Sequence, residues 1–140
     1  MENSTFMKAF EPEKNMVKEF EKWVVLVRKD QVTLGDCIIV LKSGKESFAD
    51  MDNDESMELH TVLKWYEGQC RRLYSAEKFN YIAAMMRDNF AHFHAFPRYS
   101  QSIEKYGKVW LDERWPRVIQ FAPNAVDDEI LKKIICDLQS

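Results

Sequence analysis

The sequence predicts an α+β domain: an antiparallel sheet of about five strands, with one long helix and a C-terminal helix packed on it. Short runs rich in β-branched and aromatic residues are separated by polar or glycine-containing breaks, the pattern of strands joined by hairpins. Between them lies one long segment whose apolar residues recur every three and four positions, the period of a helix face. At 140 residues the chain is expected to form one domain spanning residues 1–140.

Residues 1–15 are mixed in character, carry Pro12, and read as a loose or short helical lead-in. Residues 16–20 fit either an edge strand or the end of a helix. Residues 23–28 (WVVLVR) form the first clear strand, and 29–35 a polar connection closing on Gly35. Residues 36–42 form a second strand, apolar enough to be buried on both faces, and Ser43-Gly44-Lys45 ends it. Residues 51–56 are acidic and suit a helix start, where carboxylates cap free N–H groups and oppose the dipole. The helix then runs to about Tyr74, with Leu59, Val62, Leu63, Tyr66, Cys70 and Leu73 as its apolar stripe. Residues 79–87 read as a third strand, joined by a tight turn at Asp88-Asn89 to the strand that follows it. Residues 100–107 read as a polar loop, 109–111 as a short strand, and 114–117 as an irregular basic-aromatic stretch. Residues 124–139 predict the C-terminal helix, with Ile130, Leu131, Ile134, Ile135 and Leu138 on one face.

The net charge of -3 argues against a general nucleic-acid binder, which carries a basic surplus. Cys37, Cys70 and Cys136 are odd in number and widely spaced, so they read as buried, reduced thiols on apolar faces. The first residues lack a basic region followed by an apolar core, and no apolar run approaches the ~20 residues of a membrane span. A cytoplasmic protein with no membrane partner is expected.

The chemistry concentrates in residues 88–99 (DNFAHFHAFPRY), which hold two of the three histidines. Successive strand side chains point to opposite faces. Phe90, His92, His94, Phe96 and Arg98 therefore share one face. Ala91, Phe93, Ala95, Pro97 and Tyr99 share the other, which suits packing under a helix. Two imidazoles and a guanidinium on one face can bind or attack a phosphate. Two other readings fit the residues alone: a pair of structural histidines in a sheet, or a zinc pair at i and i+2. No third metal ligand is evident in the pattern, and His60 beside the helix stripe reads as a surface or boundary histidine.

The stretch resembles the signature of the histidine-triad (HIT) superfamily of nucleotide hydrolases and transferases. That family's pattern is His-x-His-x-His and two apolar residues, often continued by Pro-Arg-Tyr. Here His92 and His94 match the second and third histidines, Pro97-Arg98-Tyr99 match the tail, and Phe90 stands at the first histidine. The likeness extends upstream through WVVLV at 23–27, QVTLG at 31–35, IIVLK at 38–42 and FNYI at 79–82, covering about residues 20 to 100. It is similar to bacterial and archaeal members of the diadenosine polyphosphate hydrolase type. Besides Phe90, the chain departs from the pattern at Gly44, where relatives usually carry another histidine, and in a short loop before the triad.

The resemblance implies a half-barrel fold, a homodimer, and attack at the α-phosphate of a nucleoside phosphate. Candidate substrates are a dinucleoside polyphosphate, a nucleoside phosphoramidate or a nucleotide sugar. His92 takes the nucleophile's place and forms a nucleotidyl-histidine intermediate; a neutral imidazole serves, since its unperturbed pKa is about 6.5. His94 takes the place that contacts the phosphate and the leaving-group region. Asp88 and Asn89 remain from the phosphate loop, with Asn89 placed near a phosphate oxygen. Arg28 stands at a strand end where relatives often put an Asp or Asn on the ribose. An Arg has no acceptor for ribose hydroxyls, but it can pair with a second phosphate. Arg98 either binds substrate or braces its strand. Core packing is the first reading for Trp23, Phe79, Tyr81 and Phe96, and a Trp such as Trp110 or Trp115 could close over a ligand in a dimer. The mechanism requires no metal or organic cofactor, and magnesium would enter only with a polyphosphate substrate. The departures motivate a rival: a catalytically weak or inactive nucleotide-binding or interaction protein on the same fold.

Overall fold

β-Branched and aromatic side chains lose rotamer freedom in a helix but pack well on a pleated surface. In the computed structural model, which describes residues 11–86 and 89–140, those runs form a five-stranded antiparallel sheet in the order β1-β2-β3-β5-β4. In chain order the elements are α1 (Pro12–Asn15), β1 (Met16–Glu19), β2 (Trp23–Val27), β3 (Cys37–Leu41), a single 3-10 turn (Phe48–Asp50), α2 (Asn53–Tyr74), β4 (Lys78–Ile82), β5 (His92–Arg98), β6 (Ile103–Lys105), β7 (Lys108–Trp110) and α3 (Asp128–Gln139). β6 and β7 pair only with each other.

Every residue of β2 and β3 is buried, which is why neither run alternates polar with apolar. Trp23, Val25, Val27, Cys37, Ile39 and Leu41 face α2 and α3, where Val62, Tyr66, Cys70, Leu131 and Ile134 meet them. Val24, Leu26, Ile38 and Val40 form a second, smaller cluster on the other face, with Met16 and Phe90 packed against it. Register carries that second face to the histidines: Val40 lies opposite His92, and Ile38 opposite His94.

Helix α2 begins as its acidic start predicts. The Asp52 side chain accepts from Glu55 N–H at 2.8 Å, and the Glu55 carboxylate accepts from Asp52 N–H at 2.9 Å, a reciprocal capping box. The helix is pinned to the sheet by buried Tyr66, whose hydroxyl lies 2.6 Å from the Gly35 carbonyl and 3.2 Å from that of Ala95. Gly35 has φ +98°, and a Cβ there would sit 3.1 Å from Pro97 Cγ and 3.3 Å from Cys70 Sγ. Backbone conformation and space both demand glycine at this turn.

Several local expectations are corrected. Of the two readings open for residues 16–20 the edge strand is found, over Met16–Glu19, whereas Cys136 is exposed on α3 and not a buried thiol. β4 ends at Ile82 rather than at residue 87, and the turn expected at Asp88-Asn89 falls in part on Asp88, which with Arg87 lies outside the described residues. Met85 adopts φ 53°, outside the extended region, so the strand is not continued through it. Residues 100–107 contain β6 and the turn to β7, not only a loop: Lys105 pairs with Lys108, and the intervening Tyr106 and Gly107 take φ 57° and 75°. Two positive φ values are what a two-residue hairpin turn of type I′ requires. Helix α3 starts at Asp128, capped by Asp127, which accepts from Ile130 N–H. Residues 124–126 are instead tied to residues 29–31 by backbone hydrogen bonds.

Candidate functional site on the histidine face of strand β5

Strand β5 lies between β3 and β4, so its side chains are placed by ladders on both sides. Directly opposed residues of an antiparallel pair share a face. His92 and His94 therefore stand on the Val40 and Ile38 side, away from α2, as strand alternation predicts.

His92 is buried, and its Nδ1 is 2.7 Å from the Phe90 carbonyl oxygen. A carbonyl only accepts, so Nδ1 donates, and in the neutral ring Nε2 carries the lone pair. The His94 ring centroid lies 5.7 Å from that of His92, 6.4 Å from that of Phe96 and 4.8 Å from that of Phe121, which meets it edge-on. Burial among these rings, with lesser contributions from Arg28 and His92, pushes the His94 imidazole down to about 3. His94 is thus neutral near pH 7. Its Nδ1 is buried without a hydrogen-bond partner. An orphaned N–H is rarer than an orphaned acceptor, which favours the tautomer with the proton on Nε2.

Arg28 sits at the end of β2 on the same face. Its Nη1 donates to Asp36 Oδ2 at 3.0 Å, and its guanidinium lies over the rings of Phe96 (5.9 Å) and Phe121 (5.5 Å). Asp36 also accepts from Val32 N–H on Oδ2, while Oδ1 is buried without a partner. Burial raises this carboxyl to about 7 against the opposing pull of Arg28.

Arg98 is differently engaged. Its Nε and Nη2 donate to the two Asp112 carboxylate oxygens at 2.7 and 3.0 Å, Nη1 to Asn80 Oδ1, and Nη2 also to the Arg117 carbonyl. The pair is almost fully sealed, with side chains 4% and 1% exposed. This is the arrangement of a brace, and it anchors the segment after β7. That segment continues through Ile119, whose N–H donates to Asn80 Oδ1, to Asn124, which hydrogen-bonds Asp30 and Gln31. Phe121 is carried over His94 between those two anchors.

Asn89 is exposed in the loop before β5, and Asp88 lies outside the described residues. Gly44 turns the chain after β3 with φ 79°. Trp110 packs in the helix-side core, its Nε1 donating to Lys105 O, and Trp115 is half-buried. Trp23, Phe79 and Tyr81 lie among the helix-side aromatic contacts. A cleft of about 660 Å³ opens between residues 32–34 and the segment after β7, lined by Gln120 and Ala122 but by neither histidine. Among the described residues no group of three His, Cys, Asp or Glu could hold a metal ion. No helix among them is long and apolar enough to cross a membrane.

No family model and no curated protein matches the sequence. Solved structures do match its shape. A histidine triad protein from Marinobacter aquaeolei superposes with TM-score 0.74 at 18% identity, over 94% of this chain and 90% of its own. A histidine triad protein from Bradyrhizobium japonicum gives 0.71 at 19%, over 92% and 91%. The chain has the histidine-triad fold. A hypothetical histidine triad nucleotide-binding protein from Sulfolobus tokodaii gives 0.65 at 22% identity, over 95% and 88%. On the histidine-triad fold, the structure brings His92, His94 and Arg28 together and leads the Arg98 guanidinium away from them. Sequence reasoning missed Phe121, Asp36, Asn80 and Asp112. Phe121 lies in a stretch without periodicity, and the acid partners lie far along the chain from the arginines' own strands or in the loop between them.

Proposed function

We propose that this protein is a nucleotide hydrolase or nucleotidyltransferase of the histidine-triad type, acting at the α-phosphate of a nucleoside phosphate. The observation that carries the reading is the pair of imidazoles on one strand face, whose hydrogen bonding and burial favour complementary tautomers. The Phe90 carbonyl places the His92 proton on Nδ1, so that in the neutral ring Nε2 is the nucleophilic nitrogen for attack on phosphorus. His94, held neutral by burial, offers Nε2–H to a phosphate oxygen. Attack by His92 forms a P–N bond as the leaving group departs with the electrons of the P–O or P–N bond it held. Water or another acceptor then breaks the nucleotidyl-His92 bond and restores the imidazole. Arg28 and Asn89 are assigned to the substrate; Asp88 keeps that assignment from the sequence alone, and Arg98 acts through the strand it braces. The mechanism calls for no metal or organic cofactor, magnesium entering only with a polyphosphate. A homodimer in the cytoplasm, with a nucleotide or nucleotide conjugate as partner, completes the proposal.

A fluorogenic AMP phosphoramidate and diadenosine polyphosphates test this directly. The wild type should turn over at least one of them. His92→Ala should lose at least about 10³-fold, the scale for removing one member of a catalytic unit. Equal turnover by the variant would end the catalytic reading. A second reading is supported by Phe90 at the first histidine position and by Phe121 against His94: a nucleotide-binding protein of weak or no activity. Binding of AMP without turnover of any substrate would select it.

A further inference from the structure

Two arginine–aspartate pairs among the described residues, one sealed and one partly exposed, are built in different ways. Arg98 and Asp112 meet through two donors and two acceptors, the remaining guanidinium edge is filled by Asn80 and Arg117, and the pair is sealed. Arg28 gives Asp36 a single hydrogen bond from Nη1. Its Nε and Nη2 donate to no protein group among the described residues, and neither is shut off from solvent. Two phenyl rings flank the guanidinium, Phe96 at 5.9 Å and Phe121 at 5.5 Å from Cζ. Its side chain is 15% exposed, and its charge reaches His94. A guanidinium that is flanked by two rings, anchored at one nitrogen and without protein partners at the others can take a bidentate anion. A pair meant only for stability would be closed, as Arg98 and Asp112 are.

Resting on the nucleotide reading above, we propose that Arg28 is a second anion subsite that takes a phosphate other than the one facing His92. The subsite lies along β5 from His92 through His94 to Phe96, so the two phosphates it selects belong to separated positions of one ligand. That chemistry has two sources: a phosphate on the ribose of the nucleotide, or a further phosphate of a polyphosphate chain. Asp36 lets the subsite accept charge, because its buried carboxyl is pushed up to about 7 and only partly offsets Arg28 near neutral pH.

Calorimetric titration of the purified protein with AMP, ADP, adenosine 2′,5′-bisphosphate and adenosine 3′,5′-bisphosphate tests the proposal. At least one two-phosphate ligand should bind about tenfold or more tighter than AMP, the scale of one charge-assisted contact. A gain with a bisphosphate assigns the ribose source, and a gain with ADP assigns the chain. In Arg28→Gln the ratio of that ligand's affinity to AMP's should collapse towards one. Because that variant strands a buried Asp36, Arg28→Gln/Asp36→Asn is measured beside it. The wild-type series decides the matter even if neither variant folds. Equal affinity for AMP and all three other ligands would overturn the subsite while leaving the nucleotide reading intact. A gain that survives in the double variant would overturn it too. Failure to bind any of the four would remove the nucleotide reading itself, and the subsite with it.

Discussion

Replacing Asp112 with alanine tests how the site's supporting segment is held. The Asp112 carboxylate accepts Arg98 Nε at 2.7 Å, Arg98 Nη2 at 3.0 Å and the Tyr99 backbone N–H at 3.1 Å. Asp112→Ala removes all three hydrogen bonds at once. Arg98 would keep only the neutral Asn80 and Arg117 oxygens, in a position where its residue is 3% exposed. Breaking a buried pair by deleting one partner costs about 3–5 kcal/mol, because a charge is left without a counterion. For a chain of this length that corresponds to a fall of roughly 10–20 °C in Tm. Thermal and urea melts of wild type and variant measure it. The double variant Arg98→Met/Asp112→Leu replaces the pair with apolar groups and should recover much of the loss. A Tm within about 3 °C of wild type for Asp112→Ala, or under about 1 kcal/mol, would show that the pair does not brace β5 and the segment carrying Phe121.

Further outcomes are expected. The folded-state His94 pKa, about 3, lies below its unfolded value, so this group's contribution to stability is present above about pH 6.5 and is lost as pH falls towards 3. Ring NMR signals of His94 should therefore show no inflection between pH 8 and about 5, and Phe121→Ala should move the inflection up towards 6.5 by exposing the ring; an inflection near 6.5 in the wild type would contradict the burial argument. Phe90→His should raise turnover several-fold, since the carbonyl that orients His92 belongs to the backbone and survives the change; loss of folding instead would show that the phenyl ring against Val24, Leu26, Ile38 and Val40 is indispensable. Light scattering should give the mass of two chains, and a monomer at micromolar concentration would exclude the dimer.

Much of the fold was legible because its causes are local. Alternation along β5 is a property of extended backbone, so placing His92 and His94 on one face needed only their spacing. The stripe of α2 and the acidic cap at Asp52 are equally local, and both are found where the sequence puts them. Where local signals were weak, the expectations failed. Tyr106 is not a usual turn residue, so the β6–β7 hairpin passed for a loop, and nothing in residues 83–87 announces that Met85 leaves the β region.

The sequence by itself determined the α+β class, the strand that carries the histidines and the face they share, because periods of two and 3.6 residues are written into consecutive side chains. Only the tertiary structure decided what each charged group does. Arg28 and Arg98 look alike in sequence, each a cation ending or following an apolar strand. Asp112, Asn80 and Arg117 close around Arg98 from separate parts of the chain, whereas Arg28 meets one oxygen of Asp36 and two rings, one of them Phe121. A side chain's electrostatic role depends on which groups displace water from around it, and those groups arrive through chain crossings that no local pattern encodes.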